Sequence, residues 1–271
     1  MGSITYSDKP NSRRLPLGAE HVIAAGLGGR VELPEASCQR CEDITGRLVE
    51  GDILLRTLKD LRMHLKIRSK SKPSTLPLTV TDQSKQDRVI QVPIEDYPVI
   101  LNMPAFGIPP IFHGGAGGNQ PVYGFRLVIL NYDPLAFQRK YNVASFASPY
   151  WDTHMLFRML GKIGHAFAAA ELGTDRFKPA LIDMILNGVP DYFNHIGGEP
   201  ELARNPTSNA LHEIGLGYQR VNGKDYVVAK IRLFANHMGP IYYVVVGESL
   251  ENSVAKLKRV LSRRLRLSAV R

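Results

Sequence analysis

The residue types that could carry chemistry are concentrated in one stretch near the N-terminus, GAEHVIAAGLGGRVELPEASCQRCEDITGRLVEG, which runs from Gly18 to Gly51. It begins with an adjacent acid and histidine, Glu20-His21. It continues through a glycine-containing turn and a Cys-x-x-Cys pair, and then reaches further acidic residues. No other stretch of the 271-residue chain combines such groups at comparable density, so this stretch is the candidate functional site.

These groups suit hydrolysis of a phosphodiester. The reaction needs a base to deprotonate water, and a histidine with a near-neutral pKa can provide it. It also needs positive charge at the phosphate, which a carboxylate-held divalent cation can supply. His21 is the candidate base, and Glu20 is a candidate metal ligand. Glu42 or Asp43 would be the second ligand. Hard oxygen ligands favour one Mg²⁺ or Mn²⁺ ion.

The elements that must position these residues follow from local patterns. Glu20–Ile23 has the character of a short strand, Gly28-Gly29 predicts a turn, and Val31–Leu33 could form the returning strand. The pattern then predicts a helix from about Glu35 to Val49, which would bring the acidic residues back towards the strand. Adjacent side chains on a strand face opposite sides, so Glu20 and His21 need distinct roles.

The sequence also predicts the first turn and the buried face of this helix. Pro34 and Glu35 suit its first turn. Its buried face is expected to carry Ile44, Leu48 and Cys41.

The stretch resembles the HNH endonuclease core, the ββα-metal nuclease module, in its bacterial Glu-His, Gly-Gly and Cys-x-x-Cys form. The resemblance covers residues from about Gly18 to Gly51. It implies that His21 is the general base and that Glu20 with Asp43 or Glu42 holds the metal. It also implies a nucleic-acid substrate, with DNA favoured over RNA on family grounds alone.

The stretch departs from the family pattern at three points, of which the last two motivate an alternative and the first is minor. Ala24 stands where many members have proline, and Glu42-Asp43 stands where many have asparagine. The upstream cysteine pair that completes a zinc site in many relatives is absent from residues 1–19. Without that pair, Cys38 and Cys41 are expected to form a structural thiol pair. A structural zinc ion is less favoured, because two sulfur ligands leave its coordination incomplete. The alternative is a nucleic-acid- or partner-binding protein with a degenerate, inactive HNH module.

The rest of the chain changes in character after residue 67. Residues 51–66 continue helically with a core-facing stripe, and residues 68–74 are a basic, proline-containing boundary. We therefore predict two domains, an HNH-like module over 1–67 and an α+β accessory domain over 75–271. The stripe consists of Leu54, Leu58, Leu61 and Leu65. The strands predicted in the accessory domain are Leu76–Thr81, Arg88–Val92, Tyr97–Leu101, Val122–Leu130, Glu213–Arg220, Tyr226–Phe234 and Ile241–Val246. The helices predicted there are Ser148–Leu172, Lys178–Leu186 and Glu251–Leu267.

The predicted fold class is therefore α+β. An N-terminal ββα-metal module would be followed by a mixed α/β domain with antiparallel strands and one long buried helix, Ser148–Leu172. The role of the accessory domain is undecided: it could bind a protein partner or a second copy of the chain. It could also switch the nuclease on, as in a defence effector.

The overall charge is consistent with a polyanionic partner. The net charge is +9, which favours nucleic acid through long-range attraction. Candidate backbone contacts are Arg30, Arg40, Arg56 and Lys59. No apolar run is long enough to cross a bilayer, and two cysteines do not make a disulfide framework. These features lead us to expect a cytoplasmic protein without a membrane partner.

Overall fold

The computed structural model describes residues 17–67, 73–114, 122–189, 192–199, 209–250 and 266–268. Within these ranges the protein is mixed α/β, with several antiparallel sheets. No helix in the described ranges is both long enough and apolar enough to span a membrane.

The N-terminal stretch forms a strand, a turn, a second strand and a helix, in the predicted order. Strand β1 (Gly18–His21) pairs antiparallel with β2 (Glu32–Ser37). A short 3₁₀ turn, Ala25–Leu27, lies between them. Helix α1 (Gln39–Glu42) follows β2 and continues as a π-helical segment, Asp43–Glu50.

The predicted start of this helix was wrong. Pro34 and Glu35 lie in β2 rather than in a first helical turn. The hairpin pairing reaches as far as Gly18 opposite Ser37, with a bulge that lengthens the partner strand. Because Cys38 is still extended, with φ −77° and ψ 157°, the helix begins only at Gln39.

The buried face of the helix also differs in part from the prediction. Cys41 is buried as expected, and Thr45 and Val49 continue the same face at four-residue spacing. Leu48, which was predicted to face the core, is 58% exposed. The π-helical geometry changes the angular spacing of residues after Asp43, so a prediction based on 3.6 residues per turn misplaces Leu48.

The leucine stripe that follows is confirmed. The chain forms a second π-helical segment, Ile53–Thr57, and then α2 (Lys59–His64). Leu58 and Leu61 are fully buried. Leu54 and Leu65 are partly buried against the same core.

The remaining elements follow the predicted sequence of strands and helices with few exceptions. They are β3 (Thr75–Thr81), β4 (Asp87–Pro93), β5 (Val99–Phe106), a 3₁₀ turn (Pro110–His113), β6 (Val122–Asn131), α3 (Pro134–Tyr141), β7 (Ser145–Phe146), α4 (Thr153–Leu172), β8 (Phe177–Pro179), α5 (Ile182–Asn187), α6 (Tyr192–His195), β9 (Ile196–Gly198), β10 (Ala210–Val221), β11 (Lys224–Leu233), a 3₁₀ turn (Ala235–His237), β12 (Ile241–Ser249) and β13 (Arg266–Ser268).

Two of the predicted helices are partly strand. The segment predicted as helical over Lys178–Leu186 begins as strand β8, which pairs with the end of β12, and only α5 is helical. Residues 251–265 of the predicted terminal helix, Glu251–Leu267, lie outside the described residues. Its last two residues belong to β13, which pairs with β10.

The long helix α4 is the centre of the fold. It packs on β11 and β12 of the largest sheet, whose strand order is β13-β10-β11-β12-β8. A Cβ at Gly164 would lie 3.0 Å from a Val244 methyl group, so glycine permits this close contact. Helix α4 also contacts the π-helical segment Asp43–Glu50, which places the hairpin module against it.

The module and the rest of the chain share one hydrophobic core. Val22, Ile23 and Leu27 of the module belong to the same cluster of buried residues as Phe157 of α4 and Val244 of β12. The division into domains at residues 68–74 stays a prediction. The shared core means that the two predicted regions are packed against each other in the fold.

Candidate functional site

Glu20 and His21 face opposite sides of β1, as the alternation of a strand requires. Glu20 lies opposite Leu33 in β2, and His21 lies opposite Glu32. The Glu20 side chain is buried with 6% exposure, whereas His21 is only partly buried. The hairpin thus directs the carboxylate into the protein and leaves the histidine accessible.

The buried Glu20 carboxylate is bound by a lysine from the long helix. Lys162 of α4 has no exposed surface, and its Nζ lies 2.7 Å from Glu20 Oε1. The same nitrogen is 2.8 Å from Glu50 Oε1. It also donates a hydrogen bond to the main-chain carbonyl of His21. One ammonium group therefore holds two carboxylates and the backbone of the proposed base.

With both carboxyl groups ionised, this cluster has one more negative charge than positive charge. Two carboxylates surround one ammonium group, and the Glu50 side chain is 9% exposed. Burial raises the pKa of Glu50 above its ordinary value, although the charge and hydrogen bonding of Lys162 act in the opposite direction. A buried cluster with excess negative charge is costly unless a cation or proton compensates for it.

Sequence reasoning missed both Lys162 and Glu50. Lys162 stands in an otherwise apolar segment of α4, where a lysine is almost never fully buried unless it is paired. That lysine could have been recognised as needing a buried acid. Glu50 lies just after the predicted helix, and no local pattern distinguishes it from an exposed acidic residue.

The other predicted metal ligands do not converge on Glu20. Asp43 pairs with Arg47 at 3.3 Å and accepts a hydrogen bond from Gln39, and its side chain is 42% exposed. Glu42 is exposed, with one carboxylate oxygen over the beginning of β1, 3.5 Å from the position of a Cβ at Gly18.

The residues in this conformation do not fit the Mg²⁺ or Mn²⁺ ion implied by the resemblance. Glu20 is already bound by Lys162, and Asp43 is bound by Arg47. Among the described residues, no group of three histidine, cysteine or acidic side chains is close enough to hold a metal ion. Any metal at Glu20 would have to compete with the ammonium group.

The two cysteines are adjacent free thiols. Cys38 Sγ donates to Cys41 Sγ across 3.2 Å at the start of α1. Burial raises the pKa of the Cys41 thiol to about 12, and its hydrogen bond with Cys38 acts in the same direction. A thiol with that pKa stays protonated near neutral pH and is a weak nucleophile in this environment.

The four predicted nucleic-acid contacts are all on the surface. Arg30, Arg40 and Lys59 are exposed, and so is Arg56, which pairs with Asp52 at 2.8 Å. Exposed basic side chains can contact a phosphate backbone without reading sequence. Their surface positions are compatible with that role.

A histidine of the large sheet fixes the turn that follows the Glu20-His21 pair. Nε2 of the buried His212 in β10 lies 2.8 Å from the Leu27 carbonyl oxygen. Its Nδ1 accepts from the Phe234 amide at 3.3 Å. These two contacts require the neutral imidazole with its proton on Nε2. These contacts hold the turn Ala25–Leu27 against the large sheet.

Comparison with protein-family models, with curated proteins and with solved structures found no significant match for this chain.

Proposed function

We propose that the protein is a metal-dependent HNH-type endonuclease that hydrolyses phosphodiester bonds, with DNA as the preferred substrate. The observation that supports this most strongly is the position of Glu20-His21. The pair lies at the end of the first strand of a hairpin that leads directly into a helix. This is the element order expected of the module that the sequence resembles.

In this proposal His21 removes the proton from the attacking water. Its side chain is partly exposed on a strand whose other face is buried, so substrate can approach it while the backbone stays fixed. The hydrogen bond from Lys162 to the His21 carbonyl and the contact between His212 and the following turn hold the backbone on both sides. General-base catalysis from a positioned histidine contributes roughly 10²–10⁴-fold to the rate.

The test is cleavage of supercoiled plasmid, single-stranded DNA and RNA in Mg²⁺ or Mn²⁺ by the wild-type protein and His21→Ala. We expect the variant to lose roughly 10²-fold or more of the wild-type rate, the general-base contribution. Its circular dichroism spectrum and melting temperature should change little, because the His21 side chain is not in the core.

His113→Ala is the matched control, since His113 is an exposed histidine in a 3₁₀ turn outside the hairpin. It should cleave at the wild-type rate. Equal cleavage by the wild-type protein and His21→Ala would show that His21 is not the base.

A second candidate function is favoured by the Lys162 contacts. A module whose carboxylate is permanently bound by an internal lysine would be a nucleic-acid-binding element without turnover. The net charge of +9 predicts that such binding weakens steeply as salt is raised. Salt-sensitive binding to a fluorescent DNA duplex, together with no cleavage in any divalent metal, would favour this function over the nuclease.

A further inference from the structure

The two cysteines of the chain lie where β2 gives way to α1. Cys38 is the extended residue that precedes the helix, and Cys41 is buried within the first helical turn. Their Sγ atoms are 3.2 Å apart, and both residues are free thiols. A disulfide bond is about 2.05 Å long, so the two sulfurs need to approach by roughly 1.2 Å to be joined. The folded chain therefore holds the pair close to bonding distance.

Hydrogen bonds to the main chain fix this junction. The Glu42 amide donates to the Cys38 carbonyl across 2.9 Å. The Thr45 hydroxyl donates to the Cys41 carbonyl, also across 2.9 Å. Each bond joins residues four apart and holds the first turns of the helix in place. The backbone positions of the two cysteines are therefore set by the fold.

The two thiols differ in their access to solvent. Cys38 is partly exposed, whereas Cys41 is only 2% exposed. A dissolved reagent therefore reaches Cys38 first, and Cys41 lies within reach of the Cys38 sulfur. This difference gives Cys38 the attacking role and Cys41 the resolving role in an exchange reaction.

The composition of the chain limits other fates for the pair. The chain contains no third cysteine. Among the described residues, no further histidine, cysteine or acidic side chain joins the two sulfurs in a group that could hold a metal ion. Within one molecule, each thiol therefore has the other as its sulfur partner.

We propose that Cys38 and Cys41 form a thiol–disulfide exchange site, which a low-molecular-weight disulfide oxidises to an intramolecular disulfide. The Cys38 thiolate attacks one sulfur of the reagent RSSR, forms a mixed disulfide with it and expels RS⁻. Cys41 then gives up its proton and attacks the Cys38 sulfur, which forms the Cys38–Cys41 bond and expels the second RS⁻. The two protein thiols are oxidised, and RSSR is reduced to two RSH, which carry the two protons.

The contacts of Cys41 explain why the second step follows the first. Burial raises the pKa of the Cys41 thiol, and the hydrogen bond and charge of Cys38 raise it further. A mixed disulfide at Cys38 has neither the thiol nor the charge, so both of these contributions end once Cys38 has reacted. The resolving thiol therefore becomes easier to deprotonate at the stage at which it must attack.

The exchange involves neither Glu20 nor His21. The inference is therefore independent of the proposed nuclease activity, and its test needs no nucleic acid. Disulfides that are accessible from solvent are the labile ones. Since Cys38 is partly exposed, a dithiol reagent should return the oxidised protein to its starting state.

The test treats the reduced full-length protein with one equivalent of dipyridyl disulfide, whose reduction releases pyridinethione that absorbance measures. The wild type should release two equivalents of thione, and its intact mass should fall by two hydrogens with no adduct. Peptide mapping should show the cross-link between Cys38 and Cys41. Dithiothreitol should then restore the original mass.

Two single variants separate the roles of the cysteines. Cys41→Ser should stop at the mixed disulfide, with one equivalent of thione released and a stable adduct at Cys38. Cys38→Ser keeps only the buried thiol and should react at least about tenfold more slowly than Cys41→Ser, because access to the thiolate controls the rate. In urea the two variants should react at similar rates, since the difference depends on burial in the fold.

Three outcomes would contradict the proposal. A folded wild type whose thiols do not react, or one that accumulates a stable mixed disulfide, would overturn the exchange site. Equal reaction rates of folded Cys38→Ser and Cys41→Ser would overturn the assigned roles. If a variant does not fold, the mass of the wild type decides alone, because an intramolecular disulfide is lighter than the reduced protein and a mixed disulfide is heavier.

Discussion

At the scale of single residues, the most constrained group near the proposed site is His212. It is 1% exposed, and both ring nitrogens are engaged, one with the Leu27 carbonyl and one with the Phe234 amide. Burial lowers the pKa of His212 from 6.5 to about 4. Protonation would place a second N–H against the Phe234 amide, so the charged form opposes the folded arrangement.

The sign of the pH dependence follows from this lowered pKa. Above pH 6.5 His212 is neutral in both folded and unfolded chains, and its full contribution to stability is present. As the pH falls from 6.5 towards 4, the unfolded chain takes up a proton that the folded chain does not, and the contribution is lost. At pH 5 the loss is about 2 kcal/mol of the free energy of unfolding.

We predict that His212→Gln reduces the loss of stability between pH 7 and pH 5 by about 2 kcal/mol. Glutamine can still donate to the Leu27 carbonyl but does not titrate. The measurement is urea unfolding at both pH values, with His113→Gln as the exposed control. His165, which is buried in α4 and has its pKa lowered to about 3, should retain its own contribution. The same pH dependence in His212→Gln and wild type would contradict the assignment.

At the scale of elements, the hairpin depends on a turn with little free space. A Cβ at Gly29 would lie 1.8 Å from the Ile23 carbonyl oxygen, and the Gly29 amide donates to the Ala24 carbonyl. A side chain at this position would force the two arms of the turn apart. Since Glu20-His21 immediately precedes the first arm, the turn sets the direction of the proposed catalytic pair.

We predict that Gly29→Ala lowers the free energy of unfolding by about 2–4 kcal/mol, in the range expected for a severe steric conflict. Gly46→Ala is the matched control, because a Cβ there meets nothing within 4 Å. In a helical segment alanine is favoured over glycine by up to about 1 kcal/mol, so this control should be neutral or stabilising. Comparable destabilisation by the two variants in thermal or urea unfolding would show that the contact at Gly29 is not limiting.

At the scale of the whole molecule, the hairpin module is built into the same core as the large sheet. Leu27 is fully buried, its carbonyl is bound by His212, and Glu20 is bound by Lys162. Removing the remainder of the chain would expose the apolar face of the hairpin and leave a buried carboxylate without its cation. A piece of this size also buries too little surface to be stable by itself without such contacts.

We therefore predict that a fragment of residues 1–67 does not unfold cooperatively and shows poorly dispersed amide resonances in a nitrogen–proton correlation spectrum. The full chain is the control and should show one cooperative transition. A sharp transition of the fragment near the melting temperature of the full chain would instead support an independent nuclease domain, as the division at residues 68–74 predicts.

Sequence alone determined the features that depend on neighbouring residues. Alternation placed Glu20 and His21 on opposite faces of a strand, and the Gly28-Gly29 pair indicated the turn between two strands. The leucine stripe of residues 51–66 and the long apolar helix α4 followed from helical periodicity. These patterns are local because a strand or a helix fixes which neighbours share a face.

Only the tertiary structure decided what surrounds the Glu20 carboxylate. Lys162 lies 141 residues from His21 in the chain, and His212 lies 185 residues from Leu27. Contacts at such separations depend on how α4 and β10 pack against the hairpin, and no periodicity in either segment encodes that packing. The sequence therefore identified Glu20-His21 as the candidate pair. The fold determined that its acid is bound to an internal lysine and that its histidine remains accessible.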